Sequence, residues 1–71
     1  MDSRFQPYTQ HSTKYARPYE EGEDVSHVSI SESDRANGSP KAGDLIAINP
    51  ADETDQWLIS AKYAQDNLTP A

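Results

Sequence analysis

The sequence predicts a small α+β fold built around a β-hairpin, with a folded domain over residues 25–71 and a disordered N-terminal tail over residues 1–24. Three observations lead to that reading. Most of the large aliphatic residues and the only tryptophan lie in "GDLIAINPADETDQWLISAKY", residues 43–63, where two short apolar runs flank a polar stretch. A segment of good helix formers follows the second run, with Ser60 placed to cap it. The first 24 residues contain Phe5, Tyr8, Tyr15 and Tyr19 but no Val, Ile or Leu, and so little apolar surface does not offset the entropy of ordering a chain.

After the tail, "VSHVSIS" is β-branched and partly alternating, which predicts an edge strand over 25–30 with Val28 and Ile30 on one face. In "SESDRANG" Ser31 can cap a single helical turn, with Asp34 at the third helical position and Gly38 as terminator. "GSPKAGD" reads as a loop in which Pro40 fixes its own φ and Gly43 permits a turn. "DLIAI", residues 44–48, is the clearest strand. "QWLIS", residues 56–60, is its hairpin partner, with Trp57 and Ile59 on one face and Leu58 on the other. A loop of about seven residues, "NPADETD", is expected between them. Ser60 then caps a short helix "AKYAQDNL", in which Ala64 and Leu68 are one turn apart and Pro70 stops further growth. Neither a two-turn helix nor a two-stranded hairpin is stable alone in water, so the two should pack on each other.

Size and composition narrow the function classes. Seventy-one residues make at most one small domain, and marginal stability follows from the small fraction of surface such a chain buries. With no cysteine there is no disulfide framework or thiolate zinc site. No apolar run approaches the roughly 20 residues that cross a bilayer, which points to a cytoplasmic protein without membrane association.

The net charge of −6 is unevenly distributed. Residues 1–19 carry +2, residues 20–34 carry −6 with no Lys or Arg, and the remainder carries −2. Direct nucleic-acid binding is not expected, because it rests on clustered cations that neutralise phosphates. His11 and His27 show no metal-ligand spacing, and His27 beside Asp24 reads as a solvated strand residue. The carboxylates of "EEGED" and "DETD" fall in loops with no apolar pocket to raise a pKa, and no nucleophile motif or phosphate-binding loop is present. No catalysis, cofactor or metal is expected.

Two features carry a binding function. Tyr8, Tyr15 and Tyr19 are potential anchors in a tail that orders on a partner, as is Trp57 where it is not wholly core. Glu20, Glu21, Glu23 and Asp24 belong to "EEGEDVSHVSISESD", whose six acids in 15 residues suit either a solvated linker or a surface that mimics nucleic acid in a basic groove.

The words "RPYEEGEDVSHVSIS", "GSPKAGDLIAINP" and "DQWLIS" together resemble a group of small tailed-phage and prophage proteins of mostly unassigned function. Their pattern runs Y-x-x-G-x-D-x-S-x-V-S-(V/I)-S, GSPK-x-GD-(M/L)-IA-x-NP and DQWL-(V/I)-(A/S). The resemblance covers residues 17–68; Ala64 stands where the pattern has a second aromatic, and residues 1–16 lie outside it. It implies a phage accessory protein acting in the host bacterial cytoplasm and carries over no site residues. The expected function is binding and modulation of a host protein, with the transcription machinery as a target. Alternatives are an acidic mimic that inhibits a defence nuclease, and a minor assembly protein that self-associates weakly through the hairpin edge.

Overall fold

The structure is a computed structural model and describes residues 3–9 and 13–70. In chain order the elements are β1 (Gln6–Thr9), β2 (Thr13–Pro18), β3 (Val28–Ser29), α1 (Glu32–Ala36), β4 (Leu45–Asn49), β5 (Asp52–Ile59), α2 (Ala61–Asn67) and β6 (Thr69–Pro70). The architecture is α+β. The strands form one mixed sheet in the order β3-β5-β4-β2-β1-β6, antiparallel throughout except for the parallel pair β3–β5.

The fully apolar run of β4 places it at the centre, where both faces are covered. Ile46 and Ile48 point to the first face, where they pack with Phe5, Val28 and Leu58. Leu45 and Ala47 point to the second face, with Ala16, Ile59 and Leu68. The hairpin faces follow the expected alternation, since Leu58 lies on the first face and Trp57 and Ile59 on the second. Ser60 Oγ accepts a hydrogen bond from Tyr63 N at 3.3 Å, and Ala64 and Leu68 bring α2 onto the second face. The predicted single helical turn is present as well. Ser31 Oγ accepts from Asp34 N at 3.2 Å, and Gly38, with φ of +93°, ends the turn in a conformation other residues rarely adopt.

Three expectations are corrected. The disordered tail is replaced, over Gln6–Thr9 and Thr13–Pro18, by strands; residues 1, 2 and 10–12, including His11, lie outside the described residues. β2 pairs with β4 from Tyr15↔Ile48 to Pro18↔Leu45, so it continues the sheet rather than preceding it. Of β2 itself, the small residue Ala16 is buried on the second face. What the strand contributes is an edge: without β2 the backbone of β4 would be unpaired on that side.

The edge strand expected over 25–30 shrinks to Val28–Ser29. Asp24 Oδ1 accepts from Ser26 N at 2.9 Å and Val28 N donates to Val25 O at 3.0 Å, and this local turn competes with extension. Val28 and Ile30 nevertheless pack in the same cluster, joined by Val25.

The seven-residue hairpin loop is in fact a tight turn at Pro50–Ala51, because Asn49 pairs with Asp52. Asn49 Oδ1 accepts from Ala51 N at 2.9 Å and closes it. The register shifts between Ile48↔Gln56 and Asn49↔Asp52, so the extra residues Glu53, Thr54 and Asp55 bulge from β5. Asp52–Asp55 are extended and exposed, a polar strand end that carries no period-2 signal.

Candidate docking cleft

The connection that enters β4 and the one that leaves β5 are organised by one side chain. Asp44 is fully buried. Its Oδ2 accepts from Ser39 Oγ at 2.8 Å and Lys41 N at 2.9 Å, and its Oδ1 accepts from Ala61 N at 2.9 Å. The carboxylate therefore ties the loop after α1 to the first residue of α2. Gly43 permits the close approach: its φ is +94°, and a Cβ there would sit 3.3 Å from the Ala61 Cβ.

Held in this way, α1, the end of β5 and the start of α2 enclose two adjoining depressions. One, of about 230 Å3, is lined by Asp34, Trp57, Leu58, Ile59, Ser60 and Tyr63. The other, of about 300 Å3, shares Asp34 and Ser60 and adds Asn37, Ser39, Lys41, Ala61 and Lys62. Trp57 is half-buried, its body packed against the second-face cluster. Tyr63 is 43% exposed, the large hydrophobic residue most open to solvent among the described residues. Lys41 Nζ donates to Asn37 O at 2.9 Å and so caps the C-terminal end of α1. The cleft combines two aromatic rings, one carboxylate and a rim of hydroxyl, amide and ammonium groups, which are groups suited to holding a side chain of another molecule.

The residues singled out from the sequence do not meet at one place. Tyr8 packs on the second face, whereas Tyr15 and Tyr19 are half-buried against the first. Trp57 alone among them lines the cleft. The acidic group is largely committed within the protein. Arg17, buried on the first face, forms a two-pronged pair with Glu23, from Nη1 to Oε2 at 2.8 Å and from Nη2 to Oε1 at 2.5 Å. Its guanidinium also lies 5.4 Å from the centre of the Phe5 ring. The Arg17 hydrogen bonds pull the Glu23 carboxyl from its ordinary 4.5 to about 2, against the opposing effect of burial and with help from the Glu20 N–H. The same pairing raises the Arg17 pKa.

Glu20 is paired with Arg4 at 2.8 Å on the surface. Glu21 is exposed on a turn. Asp24 is held below the usual carboxylate range by the N–H and hydroxyl of Ser26. The −6 segment is thus partly neutralised by the two arginines that precede it in the chain.

Sequence reasoning missed Asp34 and Tyr63 as partners of Trp57, and it missed Asp44 altogether. A signal for Asp44 exists: an acid directly before a wholly apolar strand, after a glycine, is either at a strand end in water or buried with several donors. Only the return of α2 to the loop decides between these. No group of three or more His, Cys, Asp or Glu side chains that could hold a metal occurs among the described residues. No helix among them is long and apolar enough to cross a membrane.

Comparison with protein families, with curated proteins and with solved structures finds no match to this chain. The cleft is therefore interpreted from its own chemistry.

Proposed function

We propose that this protein is a non-enzymatic binding protein that docks on a partner protein through the α1–α2 cleft and modulates it. The observation that carries the reading is the placement of Trp57 and Tyr63, the first half-buried and the second 43% exposed, on one depression of about 230 Å3. Aromatic anchors of this kind, rigid and half-covered, dominate the energetics of protein interfaces. The sequence words shared with small phage proteins make the partner a host bacterial protein met in the host cytoplasm, with the transcription machinery as a target. The recognition surface differs from the tyrosines and acids singled out by sequence, since Glu20 and Glu23 are engaged by Arg4 and Arg17. That engagement removes charge from the array a nucleic-acid mimic needs, and it favours docking over mimicry.

The test is affinity capture from host lysate with the intact chain, a Tyr63→Ala variant and a variant with Glu21→Gln and Asp24→Asn, over about 50 to 500 mM salt. Docking through the cleft predicts that capture is lost with Tyr63→Ala, survives the acid substitutions, and weakens with salt by no more than the screening of a single ion pair. Capture that ignores Tyr63→Ala but collapses with salt or with the acid substitutions refutes it in favour of mimicry.

A further inference from the structure

We propose that the depression bounded by Trp57, Tyr63 and Asp34 receives the cationic side chain, guanidinium or ammonium, of a lysine or arginine on the partner. The proposal rests on the docking reading and gives its anchor a chemistry.

Three observations converge on it. The first is size. At about 230 Å3 the depression is below the roughly 300–1,000 Å3 of sites for drug-sized ligands, so it suits one long side chain. The second is the lining. Indole and phenol rings offer negative π-faces to a cation, and cages of this kind are a recurrent way of holding alkylated or free ammonium and guanidinium groups. Ile59, on the same face of the sheet as Trp57, adds apolar surface beside the rings for the methylene stem of such a side chain.

The third is Asp34. Its backbone is fully used: the N–H donates to Ser31 Oγ, and the carbonyl accepts from Asn37 N and Ser39 N. Its carboxylate makes no hydrogen bond or ion pair among the described residues, although Lys41 and Lys62 line the neighbouring depression. Lys41 is turned to the Asn37 carbonyl, so the carboxylate remains available on the aromatic side. The charge of the whole chain, −6, also draws cations rather than anions to the surface.

Trp57 is the only tryptophan, so its emission reports occupancy directly. The experiment titrates the full chain with the blocked peptide acetyl-Gly-Xaa-Gly-amide, where Xaa is arginine, lysine, citrulline or norleucine. Citrulline keeps the shape of arginine without the charge, and norleucine keeps the stem of lysine. The expected result is saturable change of Trp57 emission with the arginine and lysine peptides, about ten-fold weaker with citrulline and norleucine.

Asp34→Asn should weaken the charged peptides by about five- to ten-fold and leave the neutral ones unchanged. Tyr63→Ala should weaken all four. Neither Asp34 nor Tyr63 belongs to the two buried clusters, and unchanged circular dichroism confirms the fold. Norleucine binding as tightly as lysine overturns the cationic anchor but leaves an apolar docking cleft standing. Failure of every peptide to perturb Trp57 overturns the anchor as well, and the lysate capture with Tyr63→Ala then judges the docking reading separately.

Discussion

Removal of the Asp44 carboxylate tests the central structural claim, that one buried acid joins the loop after α1 to the start of α2. In Asp44→Ala, Ser39 Oγ, Lys41 N and Ala61 N each lose an acceptor at 2.8–2.9 Å. A donor left unsatisfied in the interior costs about 1–3 kcal/mol, and hydrogen bonds to a charged acceptor lie toward the upper end. The N–H groups of Lys41 and Ala61 are only part-buried and regain some hydration, so the loss is about 3–5 kcal/mol.

A chain of 71 residues has a total stability of roughly 4–10 kcal/mol, and the substitution removes from about a third to all of it. Urea unfolding followed by Trp57 emission and by far-ultraviolet circular dichroism measures the change. With a slope of about 1 kcal/mol per M, the midpoint falls by roughly 3–5 M or the variant is unfolded in water. Asp44→Asn keeps one acceptor and turns an amide toward a donor, so its loss should be smaller, about 2 kcal/mol. A loss below about 1 kcal/mol in Asp44→Ala would refute the role assigned to this side chain.

The remaining predictions concern the sheet and its ion pair. Deletion of residues 1–24 removes β2, Phe5 and Arg17, and should abolish the dispersed proton spectrum of the folded protein rather than trim a tail; a folded remnant with native circular dichroism would show that β2 is dispensable. Ile46→Ala, at a fully buried position on the central strand, should cost about 2–5 kcal/mol in the same urea assay. Because the Glu23 carboxyl is lowered to about 2, its contribution to stability is complete above its ordinary value of 4.5 and is lost as pH falls from there toward 2. Glu23→Gln should therefore lower the urea midpoint at pH 7 and flatten its decline between pH 4.5 and 2 relative to the parent chain.

The elements with a strong local signal were legible. β4 is an unbroken apolar run, β5 alternates at Trp57, Leu58 and Ile59, and both short helices begin at serines that do cap them. The elements that were not legible lack such a signal. β1 and β2 alternate polar, aromatic and basic residues because their main role is backbone pairing, with Arg17 buried on the first face through Glu23 rather than through an apolar group. The polar half of β5 is extended because the Asn49–Asp52 turn directs it, not because its side chains bury. The candidate cleft was one-third visible: Trp57 stood out as the only tryptophan, whereas Asp34 and Tyr63 are ordinary surface residue types.

The sequence by itself determined the size limit, the lack of cysteine chemistry, the central hairpin with its two faces, and the caps of both helices. These follow from composition, period and local hydrogen bonding, which act over a few residues. Tertiary structure alone decided that β2 pairs with β4, that Arg17 is spent on Glu23, that Asp44 is buried with three donors, and that Trp57 meets Tyr63 and Asp34 around one cleft. Each of those contacts joins residues brought together by strand order and helix return. Its energy depends on burial and on a partner's position, neither of which is encoded at the residue itself.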